Sequence, residues 1–526
     1  MKKICILAVL AISAALTAQV SEADFMKTLV DEQDAATKGM TQLYALDYYL
    51  DGSLLLLSSY QTATAEEVGM TFCGNTYSGA TAAKWGAQEG DFKYTNMRNS
   101  FMAKLDSKGN LLWAVADTVA DFDLANIALI ATADGGAVYV QKFRTRQGVY
   151  TGLLNLYGSN GNVVASTEIS FTHRDSIVAD GKKLFRKEAF SWAGVAVDED
   201  RYIYVAGQQA DTLLPSLTDS VAPRKAWNTK GSMSSNCNTV ILKYKVQDNQ
   251  TLEYVGAVIN SDELVYDRPV GLHYENGKLY VAGTYSNGTE TGLYAARYDK
   301  NLTREYIQYQ PVTGTLQFQQ TKFEDGKMFI CGGLAKGSIT LNDKTLATTG
   351  NFNHGLIYAL SMEDGSPVNV ALHAAAKKAL NITVAAYPTK DGYVAYNHET
   401  LNGISTALYY DQDMNLVSAD TLSTGGGSSS ITAVGRSLDG NRTAVGLRAR
   451  TSADFNVLGE TMNFADKTNW YSVIAAINTQ GQKIAPGLDK ETQRGQVVSR
   501  KVVRNGQLYI VRDGKTYNAL GAEVTL

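Results

Sequence analysis

From Thr41 onward the chain alternates short apolar runs with polar turns rich in Gly, Asp and Asn. The stretch NSFMAKLDSKGNLLWA, from Asn99 to Ala114, shows the unit: an apolar run, a turn on Asp106-Ser-Lys-Gly109-Asn110, and a short return carrying Trp113. Runs of this length between turn residues predict hairpins. Six more copies begin at Leu153, Val240, Leu293, Leu356, Ala407 and Val473. Each follows another short strand that opens on a Gly or Asp turn, as in GKLYVAGTYS from Gly277 and GKMFICGGLA from Gly326. A further apolar stretch precedes each of those strands. The pattern predicts seven units of four strands.

A four-stranded sheet of this size cannot bury both of its faces alone, so repeated units must stack on one another. The third strands, LYAARY, LIYAL, ALYY and VIAAI, are apolar on both sides, as expected of strands covered on both faces. Small residues at one equivalent position, Ala103, Ala296 and Ala475, suit a taper toward an axis. The expectation is an all-β, seven-bladed β-propeller of four-stranded antiparallel blades over 41–486. A tandem of β-sandwiches is the alternative architecture. Residues 19–40 form an N-terminal segment. Residues 487–526 read as a C-terminal β-hairpin tail, which could also supply a closure strand or an eighth, incomplete blade.

Composition sharpens the compartment more than the fold. The 526 residues include 30 Tyr and 47 Gly, without the long Ala/Glu/Lys/Leu tracts of helical proteins. Residues 1–18, MKKICILAVLAISAALTA, have the basic start, short apolar run and small-residue end of a secretory signal peptide. Cleavage after Ala18 leaves no later run long enough for a membrane-spanning helix. The net charge of -4 falls to about -6 with loss of Lys2 and Lys3, without long blocks of one sign, which disfavours nucleic acid as a partner. Three cysteines remain, too few for a disulfide framework. Cys331 sits in the apolar run MFICGG and reads as a buried thiol, leaving Cys73 and Cys237 as the candidate disulfide.

The unit FMAKLDSKGNLLWA, preceded by VGMTFCGNTYSGA, resembles the SBBP-type β-propeller repeats of exported bacterial proteins, and less closely PQQ-type and BamB-type blades. The C-terminal stretch KVVRNGQLYIVRDGKTYNALGAEV resembles the short tails of Bacteroidetes secreted proteins. These resemblances imply an exported protein at the cell surface, associated with the outer membrane or secreted, with the periplasm as an alternative location.

Loop lengths single out one rim. From the start of the second strand to the start of the third, the spacing is about 16 to 18 residues in blades 2, 4 and 6 and about 30 to 50 in the odd blades. Loops at that position open on the rim that also carries the inter-blade connections. The four inserts therefore crowd one face, and they carry Trp85, Tyr94, Trp227, Phe352, His354 and Trp470 as candidate binding residues. Exposed aromatics anchor proteins and sugar rings, although the same residues could pack each insert onto its own blade.

Signals for catalysis are absent. The five histidines show no metal-ligand spacing, and no G-x-S-x-G elbow occurs. Asp411-Gln-Asp413-Met-Asn415 has the oxygen spacing of a calcium loop but lacks its Gly and distal Glu, and it reads as the turn of the sixth hairpin. No catalytic, metal or cofactor residues are assigned. The functional expectation is a binding or scaffold propeller engaging protein or glycan. A propeller glycoside hydrolase or lyase with carboxylates at the central channel and a BamB-like structural part of an envelope assembly are the alternatives.

Overall fold

The structure, a computed structural model, describes residues 23–31, 40–61, 69–78, 88–89, 92–93, 98–121, 128–144, 150–171, 177–179, 182–184, 190–209, 212–224, 237–260, 266–341, 344–350, 353–374, 380–400, 403–425, 428–450, 455–462, 464, 470–479 and the strands between 499 and 524. The signal-peptide expectation lies outside these residues. No helix occurs among them.

Seven antiparallel four-stranded blades surround an axis. Blade 1 is Met40–Tyr48, Leu54–Gln61, Arg98–Leu105 and Leu111–Asp121. Blade 2 is Ala128–Ala131, Ala137–Arg144, Tyr150–Tyr157 and Val163–Phe171. Blade 3 is Phe190–Val197, Tyr202–Gln209, Asn238–Val246 and Leu252–Ile259. Blade 4 is Tyr266–Glu275, Lys278–Ser286, Thr291–Asp299 and Arg304–Pro311. Blade 5 is Thr315–Glu324, Lys327–Ala335, His354–Ser361 and Pro367–His373. Blade 6 is Asn381–Pro388, Gly392–Glu399, Ile404–Asp411 and Leu416–Gly425. The first three strands of blade 7 are Ser428–Arg436, Arg442–Arg450 and Trp470–Asn478.

Blade 7 takes its outer strand from the other end of the chain. Ala23–Asp31 pairs antiparallel with Trp470–Asn478, from Ala23 opposite Ile477 to Leu29 opposite Ser472. The seventh hairpin was expected to return through QGQKIA, which lies outside the described residues. The N-terminal segment thus belongs to the propeller. Thr41 fastens this closure, donating from Oγ1 to Leu29 O at 3.1 Å and accepting Ser472 N at 3.0 Å. The tail forms a separate sheet of Ser499–Arg504, Gln507–Arg512, Lys515–Asn518 and Glu523–Val524, not an eighth blade.

Turn chemistry explains the repeat of Asp at the outer hairpins. Asp106 Oδ1 accepts Lys108 N and Asn110 N, both at 2.8 Å, and Gly109 supplies φ 82°. Asp411 repeats this with Asp413 N at 3.0 Å and Asn415 N at 2.8 Å, so its carboxylate serves the turn. Each innermost strand described over its full length also bulges near its start, after Leu43, Trp192, Pro269, Phe318, Thr383 or Ile431. Bulges add local twist, which suits strands packed around an axis.

Every seam between neighbouring blades holds one apolar cluster. The odd-blade inserts reinforce four of them. Gly69–Phe72 of the blade 1 insert pairs with Val30 and Asp31 of blade 7. Leu213 and Leu214 of the blade 3 insert pair with Phe171 and Ser170 of blade 2. In the blade 5 insert, Ser338 O accepts Thr313 N at 3.2 Å, just past the last strand of blade 4. Phe455–Val457 of the blade 7 insert pairs with Ser423, Thr424 and Gly425 of blade 6. Each insert sits on the expected rim and crosses to the outer edge of the preceding blade.

Candidate functional site

Blade 4 is where the rim lies open. Its second and third strands are joined by the short turn Asn287–Glu290, in which Asn287 Oδ1 accepts Thr289 N at 3.0 Å and Glu290 N at 2.7 Å. Blades 3 and 5 on either side carry inserts, leaving a gap between them. A cavity of about 790 Å³ occupies it, walled by the starts of the innermost strands of blades 3, 4 and 5 and the end of the second strand of blade 4. This size falls in the usual range of small-molecule sites.

Close packing shapes the walls. Gly314, at φ 103°, brings the connection into blade 5 against Gly337 of the neighbouring insert, where a Cβ would lie 2.6 Å from Gly337 Cα. In blade 5 the bulge takes in both Gln319 and Gln320. Gln317 and Gln319 are exposed in the cleft, with Arg268 and Thr315. Gln317 Oε1 accepts Asn353 Nδ2 at 2.7 Å.

Asp267 is the one carboxylate among the described wall residues, and it is buried. Its Oδ1 accepts Thr239 N at 3.0 Å and its Oδ2 accepts Asn260 Nδ2. Asn260 Oδ1 in turn accepts the Tyr298 hydroxyl, and Thr239 shares a 2.7 Å hydrogen bond with Tyr294. A carboxylate held by two N–H donors in this way is a clamp between blades 3 and 4. Among the described wall residues no second carboxylate accompanies it, whereas glycoside hydrolysis uses a pair.

The channel below is crossed by a lysine. Lys322 of blade 5 donates from Nζ to Val434 O of blade 7 at 2.7 Å. Burial pulls its ammonium below the usual lysine range, and the Asp47 carboxylate opposes that shift. Asp47 is held above the ordinary carboxylate range by burial, although its oxygens accept Ala131 N at 2.8 Å and Tyr48 N at 3.0 Å. Both residues are half-buried. The channel chemistry ties blades together across the axis.

Of the predicted site residues, His354 and Trp470 lie among the described ones. His354 is buried at the start of the third strand of blade 5, where its Nε2 accepts Thr349 N at 3.2 Å. Trp470 is half-buried, with the Arg448 guanidinium 4.1 Å from its ring centroid. Neither lines the cleft. Trp85, Tyr94, Trp227 and Phe352 lie outside the described residues. The structure does not join Cys73 to Cys237. The reason is position: Cys73 belongs to the turn of the blade 1 insert, whereas Cys237 starts blade 3's third strand region, its Sγ 3.6 Å from Asp267 O.

His354, His373 and Glu399 interact at the seam of blades 5 and 6. Burial lowers the proton affinity of His373, with Glu399 opposing and His354 adding to the effect. Among the described residues no group of three or more His, Cys, Asp or Glu is placed to hold a metal ion. Sequence reasoning missed the cleft residues because it followed the long loops.

No family model matches the chain, and no curated protein matches it. Solved structures give distant similarities. A Bacteroides caccae protein of unknown function is 11% identical, with TM-score 0.28, over 63% of this chain and 82% of that one. Puromycin hydrolase is 9% identical, with TM-score 0.40, over 81% of this chain and 55% of its own. Synechocystis apocarotenoid oxygenase is 11% identical, with TM-score 0.35, over 77% and 95%. The propeller assignment stands on strand topology.

Proposed function

We propose that this protein is an exported, cell-surface or outer-membrane-associated binding propeller that takes protein or glycan at the cleft between blades 3 and 5. The observation that carries the reading is the cavity of about 790 Å³ on the insert-bearing rim, whose wall mixes uncharged polar residues with apolar and aromatic ones. The signal-like N-terminus supports export. No helix among the described residues is long and apolar enough to cross a membrane. A scaffold role in an envelope assembly is the second reading, favoured by the insert-reinforced seams.

Cross-linking tests the proposal. A photoreactive label on Thr315→Cys, inside the cleft, captures a partner from native envelopes, whereas the same label on Lys108→Cys, at a hairpin turn on the opposite rim, does not. Capture only from Lys108→Cys, or from neither position, contradicts cleft binding.

A further inference from the structure

We infer that the cleft takes an uncharged oligosaccharide, an inference that rests on the cleft being the binding site. The chemistry of the walls carries it. Thr284, Ser286, Thr315, Gln317 and Gln319 all keep accessible surface in the cavity. Hydroxyls and amides both donate and accept, which matches the alternating donors and acceptors of sugar hydroxyls. Tyr266 and Phe318 add half-buried aromatic rings, and the apolar C–H face of a pyranose packs on such rings as other apolar surfaces do.

Charge argues in the same direction. Among the described wall residues only Asp267 and Arg268 are charged. Asp267 is buried, with both oxygens accepting N–H groups. A cationic ligand would meet no exposed carboxylate among these residues, and a polyanion would meet a single exposed Arg268 on a protein of net charge -4. Such a field repels polyanions at long range. The open cavity of about 790 Å³ has room for more than one sugar ring.

Calorimetric titration of the chain without residues 1–18 tests this, using neutral gluco-, xylo-, manno- and galacto-oligosaccharides beside oligogalacturonates and acidic peptides of similar length. The expected result is saturable binding to at least one neutral series. Gln319→Ala combined with Thr315→Val weakens that binding about tenfold while the melting temperature stays unchanged. Binding of oligogalacturonate or acidic peptide alone overturns the inference, as does failure of every neutral series. The label on Thr315→Cys separates the two claims: partner capture without neutral-sugar binding leaves the cleft reading standing and removes the sugar, whereas loss of both removes both.

Discussion

Four of the seven seams are crossed by an insert from the following blade, and three are not among the described residues. The reinforced seams join blades 7 and 1, 2 and 3, 4 and 5, and 6 and 7. There the inserts push apolar plugs between sheets: Met70 and Phe72, Leu213, Ile339 and Leu341, Phe455 and Val457. The described clusters at these seams hold 14 to 17 buried apolar residues, against 7 to 11 at the others.

Polar links cross the remaining seams as well. Between blades 3 and 4, the Tyr204 hydroxyl and Lys243 Nζ both reach Lys300 O, at 3.1 and 2.6 Å. Lys104 Nζ reaches Gly135 O at 3.0 Å between blades 1 and 2. Asn369 Nδ2 reaches Gln412 O at 2.9 Å between blades 5 and 6. Inserts on this rim thus act as structural fasteners between blades.

The largest effect should come from the closing strand. Deleting Ala23–Asp31 removes the outer strand of blade 7 and the edge that the blade 1 insert pairs with. The expected outcome is loss of the cooperative thermal transition, since whole-domain stability is only about 5–15 kcal/mol. A wild-type melting curve would break the comparison.

Next comes the plug of one reinforced seam. Phe455 is fully buried between blades 6 and 7, so Phe455→Ala should cost about 3–5 kcal/mol by cavity formation in chemical denaturation.

Acid should act on a buried histidine that shares its strand face with Val394 and Tyr396, toward blade 7. His398 of blade 6 is buried, and burial lowers its pKa to about 4. The unfolded chain binds a proton near pH 6.5 that the folded chain refuses until about 4, so stability is full above 6.5 and falls as pH drops through that window. The expected loss is about 3 kcal/mol for this residue, read from denaturation midpoints between pH 7 and 4. His398→Gln should flatten the profile.

The smallest effect concerns Trp470. Its contact with Arg448 is partly exposed, so Trp470→Ala should change stability by no more than about 1 kcal/mol.

Blade count and strand order were legible because burial on both faces leaves apolar runs in the sequence, as in LYAARY of blade 4. The DSKGN turn was legible because Asp106 and Gly109 act locally. Ring closure was not, because pairing of Ala23–Asp31 with Trp470–Asn478 is a long-range register that no local pattern marks. The side of the rim chosen by the inserts was readable from loop lengths, but not their targets, since Phe455 and Leu213 pack on the preceding blade. The cleft was the least legible. Gln317, Gln319 and Arg268 sit at ordinary strand starts and meet only when blades 4 and 5 come together.

Excision of the blade 7 insert tests most directly whether inserts fasten blades while the cleft binds. Residues 455–462 are replaced by a Gly-Asn turn, and melting temperature is measured beside partner capture from the labelled Thr315→Cys position. The account predicts a melting temperature lower by several degrees with capture unchanged. Unchanged melting with capture lost would contradict it.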